Sequence, residues 1–198
     1  HQLQVLSGST TRLTSAMHRS YIKKFDECWV PDFADDANLS GKLGHPKKFE
    51  IPVKYIGALS RLEQKETASS YDIMVLLSGP EPQRTELEEI LMHELKHYKG
   101  QVLFVRGVVE AEQKVTRKEQ VKIVNFMETE DLQNAICSSD LVICRSGYTT
   151  IMDLFKLGKK AFFIPTPGQT EQEYLAKRLH SMGIVPYKDQ EKFSLKDL

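Results

Sequence analysis

A chain of 198 residues can bury a sizeable core and suits one domain, or one domain with a piece of another. Its 27 Lys and Arg balance 27 Asp and Glu, so no overall field draws it to nucleic acid or to an anionic membrane surface. Three cysteines, Cys28, Cys137 and Cys144, without a CxxC spacing fit neither a disulfide scaffold nor a zinc ribbon and point to reduced cytosol.

No apolar run approaches the ~18 residues of a membrane-spanning helix, and no basic-then-apolar signal segment opens the chain. The chain does not begin with Met and stops at "FSLKDL", just after a helix start. It is expected to be a piece of something longer.

In chain order, "HRSYIKKFDECWVPDF" reads as a helix followed by a short strand, with Trp29 expected to pack. "ADDANLSGKLGHPKKFEIP" follows as a polar loop punctuated by Gly and Pro, and "VKYIGALSR" as a short strand into a turn. Residues 1–60 are therefore expected to be a connector or the tail of another domain, and 61–198 the domain proper. From Tyr71 the pattern is regular: strand "YDIMVLLSG", helix "PQRTELEEILMHELKHY", strands "QVLFVRG" and "VKIVNFM", helix "TEDLQNAICSS", strand "DLVICRSG", helix "YTTIMDLFKLG", strand "KKAFFIPTP" and helix "TEQEYLAKRLHSMG". Strands alternating with helices of this length predict parallel strands joined by crossovers, an open doubly wound α/β sheet of the Rossmann type. Ligands of such sheets sit beyond the C-terminal ends of the strands, which directs attention to the strand-to-helix turns.

In "LLSGPEPQR", Gly79 permits a tight turn and Pro82 suits the first helical position, but two prolines remove amide donors that a phosphate would use. A rigid turn with no ligand is an equal reading. "CRSGYTT" says more. A helix starting near Gly147 aims unpaired N–H groups and the positive end of its dipole at the sheet edge, which suits a phosphate or diphosphate. Ser146, Thr149 and Thr150 add hydroxyls there. Asp153, three residues after Thr150, shares its helix face and can accept two hydrogen bonds from a ribose diol. The competing reading is a Ser/Thr-capped helix with one solvated Asp. In "PTPGQTEQE", Gln169, Gln172 and Glu173 could read sugar hydroxyls.

"HELKH", His93 to His97, matches the HExxH pattern of zinc peptidases, in which Glu94 would be the base. The histidines lie beside the apolar stripe of Leu87, Ile90, Leu91, Leu95 and Tyr98, and no third ligand follows on a second helix. An ordinary surface helix with an acidic start and a basic end is the better reading.

Together these turns resemble the C-terminal half of GT-B glycosyltransferases of family 28, whose best-known member is the MurG-type enzyme that moves N-acetylglucosamine from UDP onto a lipid-linked peptidoglycan precursor. The donor-binding turn of that family, "ADLVxCRSGAxTxxE", is matched by "SDLVICRSGYTTIMD", and the resemblance runs from about Val53 to Tyr187. It implies Arg61 on the donor diphosphate, Gly79 in a phosphate turn where Pro80 replaces a serine and Pro82 a glycine, and Arg84 as a compensating donor. It further implies the backbone of Met127 at the uracil edge, Ser146, Gly147, Thr149 and Thr150 at the diphosphate, and Asp153, in place of a glutamate, on the ribose. Gln172 and Glu173 stand for a Gln pair near the donor sugar, and Gly168 for a histidine. Arg145 is expected to orient the turn from behind.

The resemblance likewise implies that "HQLQ" is a loop at the interdomain cleft and that the general base lies in an absent N-terminal acceptor domain, so no catalytic residue is named. The partners it implies are a UDP-sugar donor used without metal or other cofactor, an acceptor that is lipid-linked or a glycan, and the N-terminal domain in cis. Nucleic acid is not among them. The expected place is the cytoplasm, at the inner face of the membrane in the full-length protein. A UDP-sugar 2-epimerase of the same fold, with Glu171 and Glu173 as its carboxylates, and a non-catalytic nucleotide-sugar-binding subunit are the other readings.

Overall fold

The computed structural model describes residues 20–46 and 49–198. Two short parallel strands, β1 (Cys28–Val30) and β2 (Val53–Tyr55), pair ahead of the main sheet. The main sheet has six strands: β3 (Tyr71–Leu76), β4 (Val102–Val105), β5 (Val115–Lys118), β6 (Val121–Val124), β7 (Ser139–Cys144) and β8 (Ala161–Phe163), in the order β5-β6-β4-β3-β7-β8. The pairings β6-β4-β3-β7-β8 are all parallel. Helices α1 (Gln83–Glu94), α2 (Thr129–Cys137), α3 (Tyr148–Lys156) and α4 (Thr170–Ser181) alternate with the strands. This is the doubly wound α/β architecture expected from the alternation of apolar runs.

The central strands read as nearly unbroken apolar runs because both faces are covered. Ile73 and Val75 face one layer with Leu87 and Leu91 of α1, while Met74 between them faces the other with residues of α2, α3 and α4. Each fully buried side chain of this kind contributes about 1.5–3 kcal/mol.

The pattern departs from expectation at several points. β5, an exposed "VTRK", pairs antiparallel with β6 through a turn in which Glu119 has φ 55°. An edge strand with one sheet neighbour has no buried face to impose apolar residues, so periodicity missed it. Helix α1 ends at Glu94, short of Tyr98, and tightens into a 3₁₀ turn over Leu95–His97. The ladder of β8 covers only Ala161–Phe163 because Pro165 and Pro167 carry no N–H to extend it. Trp29, expected to pack, is 57% exposed. Its position in a three-residue strand points it outward, and its indole N–H donates to Glu27 at 2.5 Å.

The segment ahead of the sheet does more than connect. Leu39, Leu43 and Leu62 lie in the same core cluster as α3 and α4. The carboxylate of Asp32, wholly buried, accepts from the Phe33, Leu39 and Ser40 amides and orders the loop between them. Gly41 comes so close to α4 that a Cβ would stand 2.2 Å from the Tyr174 hydroxyl, at φ 53°. Arg178 donates to the Asn38 carbonyl and side chain, and Tyr148 to the Pro31 carbonyl at 2.6 Å. At the other end Ser194 and Asp197 form a capping box, and Phe193 packs edge-on against Phe162. Among the described residues no helix is long and apolar enough to cross a membrane.

Candidate functional site

Strand order reverses at β3. The chain moves from β3 outward through β4 to β6, then returns to β7 on the other side. The crevice between the C-terminal ends of β3 and β7 is therefore the topological switch point, where open α/β sheets bind ligands. Two of the sequence-predicted turns border it, and that after β8 lies next to them.

The turn after β7 is built on Arg145, which is 1% exposed. Its guanidinium donates to the carbonyls of Ile164 and Pro165 after β8, to the Gln83 carbonyl at the start of α1 at 2.8 Å, and to Gln190 Oε1 at 2.7 Å. One side chain thus fastens three chain segments behind the turn, as expected of it. Burial lowers its pKa to about 10, against the favourable charge of Glu86, and it remains a cation at neutral pH. Ser146, also buried, donates to the Gln172 carbonyl at 2.8 Å and ties this turn to α4.

Gly147 is the N-cap of α3; among the described residues no side chain caps that helix start, and no acid stands in its first turn. This decides against the Ser/Thr-capped reading: the one hydroxyl preceding Gly147 is turned away. Thr149 is exposed and Thr150 half-buried at the open end. On the next turn Asp153 Oδ1 accepts from the Ser60 hydroxyl at 2.5 Å. Arg61, next in sequence, is exposed.

The turn after β3 is different. Gly79 has φ 106°, a backbone conformation that glycine adopts freely, and a Cβ there would approach Thr166 Oγ1 at 3.7 Å. Arg84, read from sequence as a ligand donor, points into its own helix: Nε donates to Glu81, one terminal nitrogen to Glu88 and the Arg106 carbonyl, and the other to the Thr85 hydroxyl. The carboxylate of Glu81 also accepts the Thr85 N–H, so an internal anion already occupies the first turn of α1.

In the turn after β8, Gln172 Oε1 accepts the Thr166 N–H and its amide donates to Gln169, while Glu173 accepts the Gly168 N–H. Both residues shape the turn they stand on. The Thr166 hydroxyl, 1% exposed, has no hydrogen-bond partner among the described residues. Met127 follows β6, three strand positions from β7, and packs on the core. Ser60 was not singled out from sequence, and Thr166 stands unremarked inside the quoted turn "PTPGQTEQE". The adjacency of Ser60 to Arg61 was the one available signal.

The HExxH match takes another role. Glu94 accepts the Leu195 N–H at 2.7 Å, and His93 and His97 stand on either side of the change from α to 3₁₀ helix. Among the described residues no group of three His, Cys, Asp or Glu is placed to hold a metal. Asp32, Ser40 and His45 also cluster, with Ser40 Oγ 3.4 Å from His45 Nδ1. Ser40 is 1% exposed and its hydroxyl is bonded to Asp32, so this is a loop clamp and no nucleophile. Cys144 is buried beside the site and its thiol pKa is pushed up by desolvation, which makes it inert. The His1–Gln4 stretch lies outside the described residues.

The glycosyltransferase family 28 C-terminal domain matches residues 83–198. Among curated proteins, the chain is 26% identical over 196 residues to the UDP-N-acetylglucosamine–N-acetylmuramyl-(pentapeptide) pyrophosphoryl-undecaprenol N-acetylglucosamine transferase of Haemophilus influenzae (strain PittGG), covering 96% of this chain and 52% of that protein. It is 30% identical over 190 residues to the transferase of the same name from Mannheimia succiniciproducens, covering 93% and 51%. The chain therefore spans about half the length of the curated relatives it matches. Among solved structures, the glycotransferase of kitacinnamycin superposes with a TM-score of 0.54 at 16% identity, over 73% of this chain and 38% of that one. The glycosyltransferase SnogD from Streptomyces nogalater does so with a TM-score of 0.50 at 13% identity, over 66% and 35%. These two likenesses concern the fold.

Proposed function

The chain belongs to glycosyltransferase family 28, and on that premise we propose that it is the donor-binding part of an enzyme that transfers a sugar, N-acetylglucosamine or a related hexose, from a UDP-sugar to an acceptor. The observation that carries this reading is the N-terminus of α3 at the switch point, uncapped among the described residues and flanked by Thr149, Thr150 and Asp153. Its free N–H groups and dipole receive the diphosphate, joined by Thr149, Thr150 and the exposed Arg61. Asp153 takes the ribose hydroxyls, the backbone at Met127 meets the uracil edge, and Gly79 lets the first turn approach the ligand. Ser146 acts through its bond to α4. Gln172 and Glu173 order the turn that borders the donor sugar. Arg84 has no ligand contact in this reading, since Glu81 and Glu88 hold it.

The mechanism that follows is direct displacement at the anomeric carbon with inversion. Negative charge growing on the leaving diphosphate is stabilised by the helix dipole, Arg61 and the hydroxyl donors, so the reaction requires no divalent cation. The base that deprotonates the acceptor hydroxyl belongs to the remainder of the full-length protein, as does the acceptor surface for a lipid-linked or glycan substrate. That protein works in the cytoplasm at the membrane's inner face. The relatives named above are transferases onto a pyrophosphoryl-undecaprenol, which supports this acceptor class.

Calorimetric titration with UDP, UDP-N-acetylglucosamine, ADP and GDP tests the reading. Uridine nucleotides bind and the others bind at least tenfold more weakly. Absence of binding by any uridine nucleotide, or equal binding by Asp153→Ala, overturns the assignment.

A further inference from the structure

Residues 60–63, at the boundary between the leading segment and the sheet domain, are pinned to two helices of the domain. The Ser60 hydroxyl donates to Asp153 Oδ1 on α3 at 2.5 Å and itself accepts the Leu62 N–H at 3.0 Å. Leu62 is 1% exposed within the main core. The Glu63 N–H donates to Gln133 Oε1 on α2 at 2.8 Å. Rotating this hydroxyl aside would forfeit both hydrogen bonds, and buried Leu62 fixes the backbone from which it projects, so it is a held part of the environment of Asp153.

We infer that Ser60 is a positioning residue for Asp153: by holding Oδ1 it sets the carboxylate so that its remaining lone pairs face a vicinal diol of the ligand. The inference rests on the donor-site reading above. A 2.5 Å O–H···O⁻ contact is short and charge-assisted, the kind that restrains a carboxylate rotamer. Aspartate is a short side chain with two torsions, and a small rotation removes one of the two hydrogen bonds that a cis-diol needs. The same strap carries Arg61, so hydroxyl recognition and the exposed cation share one anchor at Leu62. Ser60 thereby links the conformation of the leading segment to the affinity of the donor site.

The test compares UDP with 2′,3′-dideoxy-UDP by calorimetry on the whole chain. The parent binds UDP at least tenfold more tightly than the dideoxy ligand. Ser60→Ala weakens UDP about fivefold and leaves dideoxy-UDP unchanged, whereas Ser60→Thr, which keeps the hydroxyl, restores UDP binding to within about twofold. In an Asp153→Ala background Ser60→Ala has no further effect, as expected of two groups acting through one contact. Three outcomes overturn the inference: unchanged UDP binding by Ser60→Ala, equal weakening toward both ligands, which marks a purely structural role, or tighter UDP binding, which marks Ser60 as a competitor for the carboxylate. A parent chain that binds no UDP overturns the donor-site reading itself, and this inference with it, a result distinct from the other three.

Discussion

The turns after β3 and β7 stand side by side at the switch point, each delivering a strand into a helix, yet they treat the helix start in opposite ways. At α1 the protein supplies its own anion: Glu81 accepts the Thr85 N–H and the Arg84 guanidinium, and Arg84 is held further by Glu88. At α3 the hydroxyl that precedes the N-cap, that of Ser146, is directed to Gln172, Arg145 is held by the segments behind, and among the described residues no side chain closes the start of the helix. A helix N-terminus attracts negative charge wherever it is. What separates a structural turn from a binding turn is whether the protein satisfies that attraction itself.

Arg145 offers the largest effect with which to challenge this contrast. Arg145→Ala removes a buried guanidinium and strands the carbonyls of Ile164, Pro165 and Gln83 and the Gln190 side chain. Loss of such a network costs about 3 kcal/mol or more, a fall in Tm of roughly 6–12 °C for a chain of this size, read by thermal denaturation. Arg145→Lys recovers less than half of it, because a point charge cannot reach four diverging acceptors. Arg84→Ala costs less, about 1–2 kcal/mol, since Glu81 at its side is exposed.

Asp153 comes next. Asp153→Ala weakens UDP by about tenfold or more, equivalent to about 1.4 kcal/mol, and changes Tm by no more than about 2 °C, because the carboxylate is half-buried and its partner Ser60 stays anchored through Leu62. Titration and melting of one preparation separate the two effects. A large loss of Tm with unchanged affinity makes Asp153 a structural residue and removes the distinction between the two turns.

Much of this contrast was legible in the residues. The apolar runs of β3, β4, β7 and β8 declared parallel strands because burial on both faces leaves little room for polar residues, and "CRSGYTT" offered an open helix start beside a Ser/Thr-capped one. The settings of Arg84 and Arg145 were not equally legible. Position in a motif tells where a guanidinium begins but not where a long flexible side chain ends, and the partners of Arg145 lie 19 to 62 residues away in sequence. The partnership of Ser60 with Asp153, 93 residues apart, was hidden for the same reason. Strand β5 escaped because it buries nothing, and Trp29, expected to pack, is 57% exposed on a three-residue strand at the periphery.

The smallest expected effect sharpens the comparison most. If Glu81 merely satisfies α1, Glu81→Gln leaves UDP affinity within about twofold at neutral pH, since the amide still accepts the Thr85 N–H and the ligand sits on α3. If the first turn were a phosphate site held shut by its own carboxylate, the same change would strengthen binding severalfold. The pH dependence gives an independent reading. The Thr85 hydroxyl, and after it Arg84, hold the Glu81 carboxyl below its ordinary range. A lowered folded pKa means that the unfolded chain binds the proton more tightly, so the contribution of Glu81 to stability is full above the unfolded value of about 4.3 and is lost as pH falls through the folded one. Melting curves of the parent therefore decline across that acid window more steeply than those of Glu81→Gln, by a small margin because the carboxylate is solvent-screened. Parallel curves would show that Glu81 contributes no anion to the helix start, and the two turns would then differ in sequence alone.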